Sequence, residues 1–247
     1  MIMVLTLILA EAALEFVPRE ITRHPSVLSQ ARKRGKKPNE ILLDVSYHYA
    51  AMKPFGKYEK RGRPDIVHFS LMEALGSPLN QEGELETWVH TVQDEAIRID
   101  PETRLPRNYD RFVSLMEQLL RERQVPPGRP ALLQAETLPL KKLVKKIQPT
   151  RLVGLSTLGK RMTLEEVCNM LVGERRPVLM IGGFARGHFA AENASLCDRV
   201  LCIDRAPLES WTVTSRAIYE YECVLVGFHE RRLIDRRHNI LNNKRKP

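Results

Sequence analysis

Several features that commonly mark a chemistry are missing from this sequence. Its 247 residues include only four cysteines, Cys168, Cys197, Cys202 and Cys223, with no CxxC pair and no histidine at zinc-ligand spacing. That argues against a structural metal and a disulfide framework, and thiols set in apolar runs act as small hydrophobes in a reducing compartment. His48, His68, His90 and His188 form no i, i+4 pair with an acid between them, so no metal site is expected. No apolar run approaches the roughly 20 residues of a membrane span. The nearest candidate is "MIMVLTLILAEAALEFVP", where Ile2–Ala10 is apolar, no basic residue precedes it and Glu11 and Glu15 follow. It reads as a buried first strand rather than a signal peptide, and the protein as cytoplasmic, with no membrane partner. Repeats and low-complexity blocks are absent as well.

What is present is positive charge. Lys and Arg number 39 against 30 Asp and Glu, a net charge of +9. That excess favours an anionic partner, nucleic acid or a membrane surface. The length suits one large α/β domain or two small ones.

The periodicity predicts the following elements. Glu11–Phe16 reads as helical up to Pro18, the basic "ARKRGKKPNE" (Ala31–Glu40) as a surface loop, and Ile41–Ser46 as a buried strand. Ile66, Phe69, Leu71, Met72 and Leu75 make a helical stripe ending at Gly76, and "ETWVHT" with "EAIRID" reads as a hairpin. Asn108 caps a helix carrying Phe112, Leu115, Met116, Leu119 and Leu120, which "QVPPGRP" breaks. "LKKLVKKI" is an amphipathic helix. Arg151–Thr157 is a strand, Thr163 and Glu166 form a capping box for a helix stopped near Gly173, and "PVLMI", "RVLCI" (Arg199–Ile203) and "CVLVGF" (Cys223–Phe228) are further buried strands. Strands alternating with helices predict an α/β fold with a parallel sheet, in which ligands bind loops at the carboxyl ends of strands. Three such loops stand out: Leu155–Gly159, Gly182–Gly187 and Asp204–Leu208.

The glycine loop, "IGGFARGHF", is neither of the two common phosphate motifs. Its glycines at 182, 183 and 187 do not make GxGxxG, and His188 and Phe189 stand where a P-loop needs lysine and a hydroxyl. A nicotinamide enzyme therefore lacks its fingerprint. Glycines after a buried strand still let a ligand lie against bare backbone, although a tight turn without a ligand explains them equally well.

Taken in order, "LLDVSYHYAAM", "RGRPDIVHFSLMEALGSPLN", "WVHT", "RLPRNYDRFVSLMEQLL", "IGGFARGHF" and "IDRAPLESW" resemble the SPOUT-class methyltransferase family that modifies a pseudouridine of small-subunit ribosomal RNA and serves ribosome biogenesis. The likeness runs from about Ile41 to beyond Leu208, and RPDI followed by SPLN is its most specific part. It implies a parallel sheet with a C-terminal trefoil knot, inserted helical and hairpin segments, S-adenosyl-L-methionine as methyl donor, and a homodimer. The resemblance makes residues 1–247 one domain, with an RNA-contacting insertion over about 47–108 and the knotted, donor-binding part over about 150–247.

By the same resemblance, Leu155, Gly182, Gly187, Ile203, Asp204, Arg205, Ala206, Pro207 and Leu208 contact the donor. Family members commonly carry a Ser-Asn-Tyr-Pro-Leu type sequence in the last loop. "DRAPL" matches only its Pro-Leu end, so backbone contacts carry over and side-chain contacts from Asp204, Arg205 and Ala206 stay open. On the RNA side the resemblance assigns Arg63, oriented by Asp65, together with Arg104, Arg107 and Arg111. A carboxylate that pre-orients a guanidinium reduces the entropy lost on binding. No general base is assigned; Asp65 is read as structural. The implied reaction is methylation of ring nitrogen N1 of pseudouridine, and the alternative is an RNA-binding assembly factor with secondary or no catalysis.

Overall fold

The computed structural model describes residues 4–53, 58–128 and 130–243, with residues 228–243 by their backbone. Ile2, Met3 and the end of the "NNKRKP" tail fall outside the described residues. One eight-stranded sheet organises a mixed α/β fold, in the order β4-β5-β3-β2-β1-β7-β6-β8. Its strands are β1 (Leu5–Ala12), β2 (Leu85–Thr91), β3 (Glu95–Ile99), β4 (Gln124–Val125), β5 (Leu133–Thr137), β6 (Arg151–Arg161), β7 (Pro177–Gly182) and β8 (Arg199–Cys202). Strands β2, β1, β7, β6 and β8 run parallel, and β3, β5 and β4 continue the sheet antiparallel.

The strand alternation sorts the core into two faces. Leu5, Leu7 and Leu9 of β1 point to one face, under α3 (Pro64–Gly76), α5 (Tyr109–Glu122), α7 (Leu164–Leu171) and α9 (Ser210–Asn243). Ile8 and Ala10 point to the other, under α6 (Leu140–Ile147) and the segment around α8 (Ala191–Ala194). A small separate cluster joins α1 (Pro25–Lys33) to α2 (Val45–Met52), and α4 (Pro78–Gln81) follows α3. The caps behave as their chemistry dictates: Asn108 accepts from Arg111 N, and Thr163 and Glu166 form the reciprocal box.

Four expectations are corrected. Residues 11–16 are not helical: β1 continues to Ala12, Glu11 adopts a left-handed φ of 50°, and Phe16 bridges Leu42 in extended pairing. The segment 41–46 makes only that bridge, because Asp44 turns to cap α2 through Ser46 N at 2.8 Å. The loop expected at Leu155–Gly159 is a bulge inside a continuous β6, with Leu155 and Lys160 both in register with Leu201. Glycine at 159 is what permits this, since a Cβ there would lie 2.5 Å from the Leu201 backbone. Residues 223–228 are helical within α9; Cys223 and Val226 face out while Val224 and Leu225 are buried, a helical rather than alternating pattern.

The basic run is only partly a loop. α1 takes Ala31–Lys33, and Arg34 and Lys36 converge on the fully buried Glu117 carboxylate, which also accepts from Leu42 N at 2.9 Å. Among the described residues no helix is long and apolar enough to cross a membrane, and no group of three or more His, Cys, Asp or Glu is placed to hold a metal ion.

Candidate functional site

The bulge of β6 and the carboxyl ends of β7 and β8 open onto one cavity of about 550 Å³, a size within the usual range for small-molecule sites. Leu155, Gly182, Gly187, Ile203, Asp204, Ala206, Pro207 and Leu208 line it; the exposed Arg205 does not. Ser156, Phe184, His188, Phe189, Glu209 and Val213 also contribute walls. The lining is apolar on several sides, with hydroxyls and carboxylates between, and the glycine loop supplies bare backbone.

Close contacts hold the loop in place. Gly183 N donates to Ala10 O at 2.8 Å and its carbonyl accepts from Ala13 N at 2.9 Å, so the loop zips back onto β1. A Cβ at 183 would stand 2.8 Å from Ala12 Cα, which makes glycine obligatory there. Ser210, opening α9, donates to Gly182 O at 2.6 Å and pins the loop from the other side. In the last loop Asp204 Oδ1 accepts from Ala206 N at 3.1 Å, so the side chain that departs from the family's common sequence shapes the turn itself.

Glu11 anchors the far end of the glycine loop. Its buried carboxylate accepts from Ala190 N at 2.6 Å, Asn193 Nδ2 at 2.9 Å and Lys60 Nζ at 2.7 Å. The Lys60 ammonium also donates to His188 O and lies 4.3 Å from the Phe184 ring centroid. Next to it, Arg61 pairs with buried Glu15 through Nε at 2.7 Å, and those bonds hold its pKa above the ordinary value.

Arg63 completes the row of cations. Its Nε and Nη2 bond Asp65 Oδ1 and Oδ2 at 2.8 and 2.7 Å, a fork that leaves Nη1 for another acceptor. The bond to Asp65 is the main cause of its raised pKa, and Glu209, a wall of the cavity, and Asp44 add to it through their charge. Arg63 therefore stands within electrostatic reach of the cavity. Arg104, Arg107 and Arg111 are exposed and form no ion pair among the described residues. Their segment is fastened beside α3: His68 Nε2 meets Pro106 O at 2.8 Å, His68 stacks on Phe112, and Tyr109 Oη donates to Asp44 at 2.5 Å. Burial, then that bond, push the Tyr109 pKa up, so the phenol keeps its proton.

Lys60, Glu11, Ser210 and Glu209 were not reached from the sequence. For Ser210 a signal existed: a serine opens a 3–4 spaced apolar series, Val213, Ala217, Ile218, Tyr221, Val224 and Leu225. For Glu11 and Lys60 none did, because their pairing spans 49 positions.

Residues 7–222 match the family model described as EMG1/NEP1 methyltransferase. The "Ribosomal RNA small subunit methyltransferase Nep1" of Staphylothermus marinus is 46% identical over 215 residues, 87% of this chain and 93% of its own. The protein of the same name from Thermococcus onnurineus is 42% identical over 218 residues, 88% and 98% of the two chains. Among solved structures, Archaeoglobus fulgidus Nep1 bound to S-adenosylhomocysteine superposes with a TM-score of 0.78 at 38% identity, covering 91% of this chain and 99% of that one. The chain belongs to the EMG1/NEP1 methyltransferase family.

Proposed function

We propose that this protein is an S-adenosyl-L-methionine-dependent methyltransferase that methylates ring nitrogen N1 of a pseudouridine in small-subunit ribosomal RNA. The observation that carries the reading is the juxtaposition of the glycine-walled cavity with the Arg63–Asp65 fork: Arg63 N donates to Ala13 O at 3.1 Å, and Ala13 N donates to Gly183 O at 2.9 Å. The names of the relatives and the S-adenosylhomocysteine held by the Archaeoglobus protein support the substrate class and the donor. Residues of about 150–247 hold the donor in a trefoil knot, an assignment that rests on the family likeness, and about 47–108 carry RNA contacts.

The residues present suit such a donor: apolar walls for a purine and bare amides for its polar ends. S-adenosylmethionine supplies an already activated sulfonium methyl. N1 of the base would attack that carbon, the N–C bond forming as the C–S bond breaks, with S-adenosylhomocysteine leaving as the thioether and the N1 proton passing to solvent. Uridine joins its sugar through the same nitrogen, so only the isomerised base offers it. The chain's part is alignment and exclusion of water. Arg63, pre-oriented by Asp65, positions the RNA, while Arg104, Arg107 and Arg111 meet phosphates or the extruded base.

The family expectation of a homodimer is consistent with α9, where Tyr219, Cys223 and Val226 form an exposed stripe at helical spacing.

Transfer of labelled methyl to two RNA hairpins, identical except for pseudouridine or uridine in the loop, tests the function. Transfer to the first alone is expected. Binding of both without transfer would leave an RNA-binding assembly factor.

A further inference from the structure

On the second face of the sheet, beside α6, lies a groove of about 790 Å³ lined by Trp88 and Thr6. The groove sits at the opposite end of the strands from the donor cavity. Arg175 and Arg176 stand just before β7, and Gly182 ends it, so about 20 Å of strand separates the two sites.

Among the described residues, the buried side-chain groups of the groove that lack a partner are both donors. Trp88 is 4% exposed and its Nε1–H has no partner. Arg176 Nε–H is likewise buried without a partner, although Nη1 bonds Gln148. Arg175 is exposed and forms no ion pair among the described residues. Buried donors without acceptors are costly, and an indole N–H or a guanidinium cannot serve as an acceptor. The remaining cations of the groove are already committed: Arg98 to Glu86, Lys146 to Glu136 and Arg123 to Glu95. They fix the rim and leave Arg175, Arg176 and Trp88 for a ligand that brings acceptors and negative charge.

We infer that this groove is a second RNA site, which takes the phosphodiester backbone of the strand flanking the methylated loop. The inference rests on RNA being the substrate, as proposed above. Phosphate oxygens supply the acceptors that Trp88 and Arg176 lack, and a polyanion matches the unpaired charge of Arg175. A second contact far from the chemistry adds affinity and fixes the register of the RNA without reading its sequence.

The test compares a short hairpin carrying the target loop with the same hairpin bearing a single-stranded extension. Both are titrated over a range of salt against the wild type, Arg175→Gln/Arg176→Gln and Trp88→Phe. The expected result is tighter binding of the extended RNA by the wild type. The double variant should lose that gain, with the slope of log K against log salt shallower by about 1.4, as for two lost single-strand phosphate contacts. Trp88→Phe keeps the ring and removes the N–H, so it should lose part of the gain, and hairpin and donor binding should be unchanged in both variants. If the wild type binds both RNAs equally, or the variants weaken both equally, the groove is not an RNA site while the functional proposal stands. If the wild type binds neither RNA, both readings fall.

Discussion

Lys60 Nζ lies 2.7 Å from Glu11 Oε2, and the same ammonium bonds His188 O. One side chain thus ties the segment that leads into Arg63 to the glycine loop that walls the donor cavity. Glu11 is only 6% exposed and Lys60 largely shielded, so the pair sits where a lost partner leaves charge without solvent.

Lys60→Met keeps the aliphatic stem and removes the charge. Stability should fall by about 1–3 kcal/mol, which lowers Tm by roughly 2–4 °C per kcal/mol in a chain of this size. Donor affinity should fall with it as the loop loosens. Thermal unfolding and calorimetric titration of S-adenosylmethionine measure the two effects, and unchanged values in both would remove the clamp from the account.

Arg63→Ala should weaken RNA binding about tenfold or more, the equivalent of one charge-assisted contact, while leaving donor affinity intact. Asp65→Asn should weaken it less, since the guanidinium remains but is no longer held. Filter binding reads the first quantity and calorimetry the second; equal loss of both in Arg63→Ala would indicate misfolding instead.

A Cβ on Gly182 would lie 2.8 Å from the Phe184 ring, itself a wall of the cavity. Gly182→Val should drive that ring into the donor space and abolish measurable donor binding while circular dichroism stays native. Undiminished affinity would reduce the loop to a turn.

Burial pushes the imidazoles of His48 and His90 below the ordinary 6.5, against the charges of Asp44 and of Asp94 respectively. His48 Nδ1 accepts from Asp44 N at 3.0 Å, which only an unprotonated nitrogen can do. As pH falls below 6.5 the unfolded chain takes up these protons before the folded one does. The stability they contribute is present above that pH and is lost as pH falls through the folded values. Tm should decline between about pH 7 and pH 5, and His48→Gln should make the decline shallower.

Tyr219→Glu places a charge on the exposed stripe of α9. Light scattering should report a shift from dimer to monomer with the fold retained. A wild type that is already monomeric would end the dimer proposal.

Where side-chain period and cap agreed, the fold was legible. α5 and α7 carry an apolar face and their own caps, and α6 an apolar face alone. α3, by contrast, forms over the expected span but buries Val67, Ser70, Leu71 and Ala74 and leaves Phe69 of the expected stripe exposed. The helix α9 was misread at 223–228 because β-branched residues within a short apolar window imitate a strand, and only the longer series from Val213 resolves it. β4 was missed because a two-residue strand has no period, and β5 because only Leu133 and the small Ala135 mark its buried side. Two of the cavity's walls, the glycine loop and Asp204–Leu208, could be found as strand ends, while the third is the bulge within β6. The clamps upon them could not, since Glu11 to Asn193 and Ser210 to Gly182 are contacts made by topology rather than by local pattern.

The placement of β1 has a consequence in time. Thr6 pairs with Val178 at the centre of the sheet, yet about 170 residues of synthesis separate the two. At roughly 5–20 residues per second, the apolar strand "LTLILAEA" waits on the order of ten to thirty seconds for that neighbour, with only β2 available sooner. During that interval the nascent chain displays an unpaired hydrophobic edge, so this enzyme is a natural client for whatever shields emerging polypeptides.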